Sequence, residues 1–171
     1  MSRPRAFVET YGCQMNTYDS AAIYGLLEAA GYARGDSADE AEIVLLNTCS
    51  VRDHAEHKIL SRVGELRRRQ REGGTVRVIG ICGCMAERLG GELLDERRGF
   101  DLAVGVDGYD RLPELVAAAL ARGGVSEAVT GHRAEVHYVA PPDAYPANNS
   151  HLVTIHKGCD YRCTYCIVPH T

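Results

Sequence analysis

The chain has 171 residues, 45% of them hydrophobic and 25% charged, which excludes a fibrous or disordered protein. At roughly 150 residues per domain this is about one domain with some chain left over. A formal charge of −4 excludes a wholly basic domain that coats nucleic acid, and with no tryptophan any stacking on bases falls to Tyr, Phe or His.

Up to about residue 125 the chain alternates apolar strands with amphipathic helices. Ala6 to Thr10 reads as a strand. The helix after it is capped by Asn16 or Thr17, carries Ile23, Leu26, Leu27 and Ala30 on one face, and stops at Gly31. Ile43 to Leu46 is a short, wholly apolar strand, followed by a helix faced by Ala55, Ile59, Val63 and Leu66 that ends at Gly73-Gly74. Val76 to Ile81, interrupted by Gly80, is a third strand, and a short helix from about Met85 to Leu89 precedes Gly90-Gly91. Leu102 to Val106, interrupted by Gly105, is a fourth. The helix after Asp110 presents Leu112, Leu115, Val116 and Ala119 and stops at Gly123-Gly124. Continuous apolar strands suit a parallel sheet covered on both faces, and the alternation predicts right-handed crossovers. The expected fold is α/β, doubly wound around a mostly parallel sheet.

Composition changes abruptly over Val139 to Ser150, VAPPDAYPANNS, where three prolines exclude a helix or a central strand. His151 to His156 reads as a fresh strand, but a strand and a loop cannot bury a core. The expected organisation is a first domain over 1–138, a linker over 139–150, and the opening of a truncated second domain over 151–171.

The longest apolar run, Leu115 to Ala121, has seven residues, against the roughly 20 that span a bilayer. Met1 to Arg5 leads into no apolar secretory core, so a cytoplasmic protein without a membrane part is expected. There, an odd count of seven cysteines argues against a disulfide framework and for buried, catalytic or metal-bound thiols.

Cys159, Cys163 and Cys166 form C-x3-C-x2-C in KGCDYRCTYCIVPHT, so three thiolates within eight residues can wrap one corner of an inorganic cluster. Zinc sites favour paired C-x2-C knuckles and four ligands, whereas three cysteines leave one iron of a cubane open to a substrate or cofactor. With Tyr165 just before the third cysteine, the spacing is similar to the signature of radical S-adenosylmethionine enzymes. Cys13, Cys49 and Cys84 each lie just past a predicted strand, in YGCQMN, NTCSVR and GCMAER. In a parallel sheet those loops open on one edge, where ligands bind. The bland alternative is three small buried apolar residues, since free cysteine is commonly buried. Cys82, inside the predicted strand, reads as core packing, and its standing in for Cys84 as a ligand is left open.

On TYGCQMNTYDS, LLNTCSVRDHAEHK, GCMAER and KGCDYRCTYCIVPHT, in that order, the chain resembles the methylthiotransferases of the radical S-adenosylmethionine superfamily, most closely the tRNA 2-methylthioadenosine synthases. The resemblance implies two 4Fe-4S clusters. Cys13, Cys49 and Cys84 would hold an auxiliary one, and Cys159, Cys163 and Cys166 the one that binds S-adenosylmethionine, with Tyr165 beside that cofactor. It further implies that one S-adenosylmethionine methylates a sulfur at the auxiliary cluster. A second, cleaved reductively, yields the radical that abstracts hydrogen from C2 of a prenylated adenosine beside the anticodon, to which the methylthio group passes. The partners so implied are the anticodon stem-loop of tRNA and a reducing electron donor, with a monomeric enzyme. Full-length relatives continue through a partial barrel and an RNA-binding β domain, so this piece alone is expected to be inactive.

Two sibling activities stand as alternatives, on threonylcarbamoyladenosine in tRNA and on an aspartate of a small-subunit ribosomal protein. From other classes stand an iron–sulfur carrier or scaffold and a zinc-binding interaction module. Arg67, Arg68, Arg69 and Arg71 form a basic patch, read as a solvated helix end or as a contact for tRNA phosphates. His54 and His57 read as surface residues rather than metal ligands, and Asn16 and Asn47 as turn or capping residues as readily as substrate contacts.

Overall fold

The computed structural model describes residues 3–50, 53–95, 97–122, 127–131 and 158–170, with the side chains of 53–56 and 122 left out. Six parallel strands form one sheet: β1 (Arg5–Tyr11), β2 (Ala33–Arg34), β3 (Ile43–Thr48), β4 (Val78–Cys82), β5 (Leu102–Val104) and β6 (Glu127–Val129), in the order β2-β1-β3-β4-β5-β6. The helices are α1 (Gln14–Ala29), α2 (Asp53–Arg71), α3 (Cys84–Leu89) and α4 (Leu112–Arg122), with a 3-10 turn over Gly90–Leu94.

Every residue of β3 and β4 is buried, as a parallel strand covered on both sides requires. Alternation then sorts the side chains. Ile43 and Leu45 join Ile23 and Leu27 of α1 and Leu112, Leu115 and Val116 of α4. Val44 and Leu46 pack instead with Ile59, Val63 and Leu66 of α2 and Met85 of α3. Two apolar layers on one sheet make the expected doubly wound α/β fold. Fully burying one such leucine or isoleucine is worth about 1.5–3 kcal/mol, so these layers hold the sheet's edge loops in fixed relation.

The differences from expectation are local. β2 and β6 have only two and three residues, too few for a periodic signal. β5 ends at Val104, ahead of Gly105 and Val106. α1 begins at Gln14, with Cys13 in the capping position and Asn16 already in the first turn, not as the cap itself. The expected linker over 139–150, the strand His151 to His156 and the stop at Gly123-Gly124 lie outside the described residues.

Two arginines of the basic patch on the second helix, Arg67 and Arg69, are committed inside the domain, while Arg68 and Arg71 are exposed. Arg67 donates to Asp101 Oδ1 at 2.6 Å and to the Gly99 carbonyl at 2.9 Å. Arg69 is paired with Asp39 and, at 2.6 Å, with Glu65. Arg68 stands 3.8 Å from Glu72. Three of the four basic side chains therefore meet carboxylates of this chain, which weakens the phosphate-contact reading of the patch. Asp101 is the more deeply set partner: its Oδ2 also accepts the Ile79 N–H at 2.8 Å, so one carboxylate ties α2 to two strands. Asp101→Ala is expected to lower stability by about 1.5–3 kcal/mol, the loss of charge-assisted hydrogen bonds, read as a lower urea midpoint with unchanged slope.

Candidate metal centre

The chain passes from β1 outward to β2 and then returns to the other side of β1 for β3. That reversal opens a crevice at the carboxyl ends of β1 and β3, the usual ligand position in open α/β sheets. Cys13 follows the end of β1 and Cys49 follows β3 directly, so they flank the crevice. Cys84 opens α3 just beyond β4, one strand further along the same edge. The structure thus brings these three sequence-predicted residues to one rim.

Their exposure is graded: Cys13 is exposed, Cys84 half-buried and Cys49 buried. Burial pushes the Cys84 thiol up to about 11, with Cys49, Asp19 and Cys13 adding to the shift and a hydrogen bond from the Ser50 backbone N–H opposing it. Both other rim thiols therefore lie within electrostatic reach of Cys84. Cys82 differs. It is fully buried in the layer under α1 and α4, and burial, then Asp19, pushes its thiol far above the ordinary range.

A polar network beneath the rim joins the three cysteine turns. Asn16 Oδ1 accepts the Cys13 backbone N–H at 3.1 Å, and the Cys13 thiol points to the same oxygen at 3.5 Å. Asn16 Nδ2 donates to Asn47 Oδ1 at 3.0 Å, while Asn47 Nδ2 donates to the Asn16 carbonyl at 2.8 Å and to Ser20 Oγ at 2.9 Å. Ser20 in turn meets Thr10 at 2.7 Å. Two glycines press on the amide pair. A Cβ on Gly12, just before Cys13, would strike Asn16 Oδ1 and come within 2.9 Å of Cys49 Cβ. A Cβ on Gly83, just before Cys84, would stand 2.6 Å from Asn47 Oδ1, and its φ of +91° already favours glycine. On the far side Arg88 Nε donates to Ser50 Oγ at 2.6 Å, linking the Cys49 and Cys84 turns. Sequence reading placed Asn16 and Asn47 beside the loops but not against one another, because a separation of 31 positions along the chain hides the contact.

The second cysteine group is local. Gly158 has a φ of +69°, the Cys166 N–H donates to the Cys163 carbonyl at 3.0 Å, and a 3-10 turn follows over Val168–His170. Cys159 and Cys166 are half-buried and Cys163 is exposed, as are Tyr161 and Tyr165. His57 is exposed, in keeping with a surface role, and the side chain of His54 lies outside the described residues.

Among the described residues no three His, Cys, Asp or Glu side chains are arranged to hold a single metal ion. The rim's donor set is all thiol, soft, and drawn from separate turns, which fits a cluster by its chemistry. The 16-residue α1 opens on this rim, with Cys13 as its capping residue.

The same chain is 43% identical over 176 residues to the tRNA-2-methylthio-N(6)-dimethylallyladenosine synthase of Sorangium cellulosum, and 42% identical over 168 residues to the protein of that name in Bacteroides fragilis. It is 39% identical over 171 residues to the mitochondrial tRNA methylthiotransferase CDK5RAP1 of Rattus norvegicus. Each match takes in 98% of this chain but 35%, 36% and 29% of the relative, so the chain spans about a third of their length. These relatives are of the kind that the motif resemblance names. Residues 5–105, which include Cys13, Cys49 and Cys84 and every strand from β1 to β5, match the family described as "Uncharacterized protein family UPF0004". With more than half of its residues inside that match, the chain belongs to the UPF0004 family.

Proposed function

We propose that this chain is the N-terminal part of a tRNA methylthiotransferase that methylthiolates C2 of a prenylated adenosine beside the anticodon. The observation that carries the reading is the convergence of Cys13, Cys49 and Cys84 on one rim at the winding reversal of the sheet. The printed names of the relatives support the choice of tRNA, and two of them support a dimethylallylated adenosine, over the ribosomal-protein and carrier readings.

In this reading Cys13, Cys49 and Cys84 hold an auxiliary 4Fe-4S cluster, and Cys159, Cys163 and Cys166 hold a second, with Tyr165 beside S-adenosylmethionine. When bound, these groups would supply the sulfur attachment point, the methyl group and the hydrogen abstraction that ordinary acid–base side chains cannot perform. The chain's own residues supply the cage. Three thiols per site leave one coordination position open in each. The complete burial of Cys82 supports Cys84 as the third rim ligand, since a thiol facing the apolar layer cannot also face the rim. Residues 1–138 form the domain that carries the rim, 139–150 a linker and 151–171 the start of a radical-S-adenosylmethionine domain. A reducing electron donor, a monomeric state and a cytoplasmic location complete the proposal. Among the described residues no helix is long and apolar enough to cross a membrane.

Two measurements test it. Anaerobic reconstitution of the chain with iron and sulfide should yield about four fewer irons for Cys13→Ala than for the parent, because one cubane is lost. An unchanged iron count removes the rim site. In the same assay Cys84→Ser should lose the rim cluster while Cys82→Ser keeps it. The reverse pattern would show Cys82 to be the ligand.

A further inference from the structure

Asn16 and Asn47 are buried amide side chains near the rim, 1% and 0% exposed. Burying an amide without partners costs several kcal/mol on the harsher transfer scales, so the pattern of their hydrogen bonds is informative. It is closed. Asn16 uses its oxygen on the Cys13 N–H and its nitrogen on Asn47. Asn47 uses its oxygen on Asn16 and both hydrogens of its nitrogen, on the Asn16 carbonyl and on Ser20. A closed amide pair adds little stability beyond what two apolar side chains would give, but it fixes direction.

What it directs is the ligand set. The pair touches the residue before or beside each rim cysteine: Cys13 itself by hydrogen bond, Asn47 two residues ahead of Cys49 by chain connection, and Gly83 ahead of Cys84 by close packing. We infer that Asn16 and Asn47 are positioning residues, an amide hub that sets the three rim thiols at their working separation in the metal-free chain. The inference rests on the reading of Cys13, Cys49 and Cys84 as cluster ligands. In that role the hub acts through the ligands and never touches the cluster. Its loss leaves the thiols present but loosely placed, which in metal sites with disrupted outer partners typically weakens binding about 10- to 100-fold.

The experiment uses the full chain with Cys159, Cys163 and Cys166 changed to Ser, so that iron reports the rim alone. The parent, Asn16→Ala, Asn47→Ala and Ser20→Ala are reconstituted with ferrous iron and sulfide. Each is then challenged with EDTA while the cluster's visible absorbance is followed, and the metal-free forms are unfolded in urea. The expected result is that folded Asn16→Ala and Asn47→Ala release iron at about 10- to 100-fold lower EDTA concentration than the parent. Ser20→Ala, which removes one donation and spares the amide pair, should show a smaller loss in the same direction. A purely structural pair would lower the urea midpoint and leave EDTA resistance of the folded, loaded chain at the parent value, and that outcome overturns the inference. If both Asn variants fail to fold, Ser20→Ala decides: parent-like EDTA resistance overturns the inference and a lower one supports it. A parent that takes up no iron fails the cluster reading itself, and a parent that holds iron beside equally resistant variants fails only the hub.

Discussion

A parallel sheet sends the carboxyl end of every strand to the same edge, and the turn that follows each strand must cross that edge before its helix begins. Where the winding reverses, the two turns leave in opposite directions and a gap opens between them. In this chain the reversal falls between β1 and β3. Everything distinctive about the molecule sits on the turns around that gap, while the layers that hold the gap open are ordinary aliphatic packing on the two faces of β3 and β4. The stability of the domain and the placement of its thiols are thus largely separate problems, solved by different residues.

The separation is visible in the polarity of what is buried. Away from the rim the buried groups are mostly aliphatic, with isolated carboxylates such as Asp101 fixing helix to strand. Under the rim the buried groups become polar: Asn16, Asp19, Ser20, Asn47, Thr48 and Ser50 all lie within it or against it. Tyr109, fully buried, donates to Asp19 at 3.3 Å from the floor of the same region. Low dielectric strengthens each of these hydrogen bonds and penalises any broken one, so the region resists rearrangement in a way that a purely apolar floor of equal volume would not. A rigid floor suits a site whose thiols must stay apart from one another in the absence of metal, since neighbouring thiols brought together would otherwise be free to oxidise.

The sheet was readable because its central strands β3 and β4 are continuous apolar stretches and its helices keep their apolar residues at regular spacing, as with Ile59, Val63 and Leu66. β2 and β6 escaped because two or three residues carry no period; β2 pairs along the longer β1, and β6 along β5, itself only three residues long. The three rim cysteines were readable by position, each one to two residues beyond a strand. Their floor was not. Asn16 and Asn47 look like turn residues wherever they stand in a sequence, and only the register that sets Thr10 beside Asn47 brings Asn47 up to α1. The basic patch was open to two readings for a related reason: four arginines in five positions suit a solvated helix end or a phosphate surface alike, and only the fold shows Asp39, Glu65 and Asp101, two of them far away in sequence, pairing with Arg67 and Arg69.

The two cysteine groups differ in what they ask of the fold. Cys159, Cys163 and Cys166 lie within eight residues, so a single turn can present all three and little of the remaining chain needs to be in place. Cys13, Cys49 and Cys84 are 36 and 35 residues apart along the chain and meet only once β1, β3 and β4 are in register. A cluster held by the second set is therefore linked to folding of the whole sheet: whatever binds only the assembled rim stabilises the assembled domain by mass action. The local set carries no such linkage. In the proposed enzyme the rim would be the site whose occupancy reports whether the domain is folded, which is a reason for its floor to be built from directional bonds rather than from apolar contact alone.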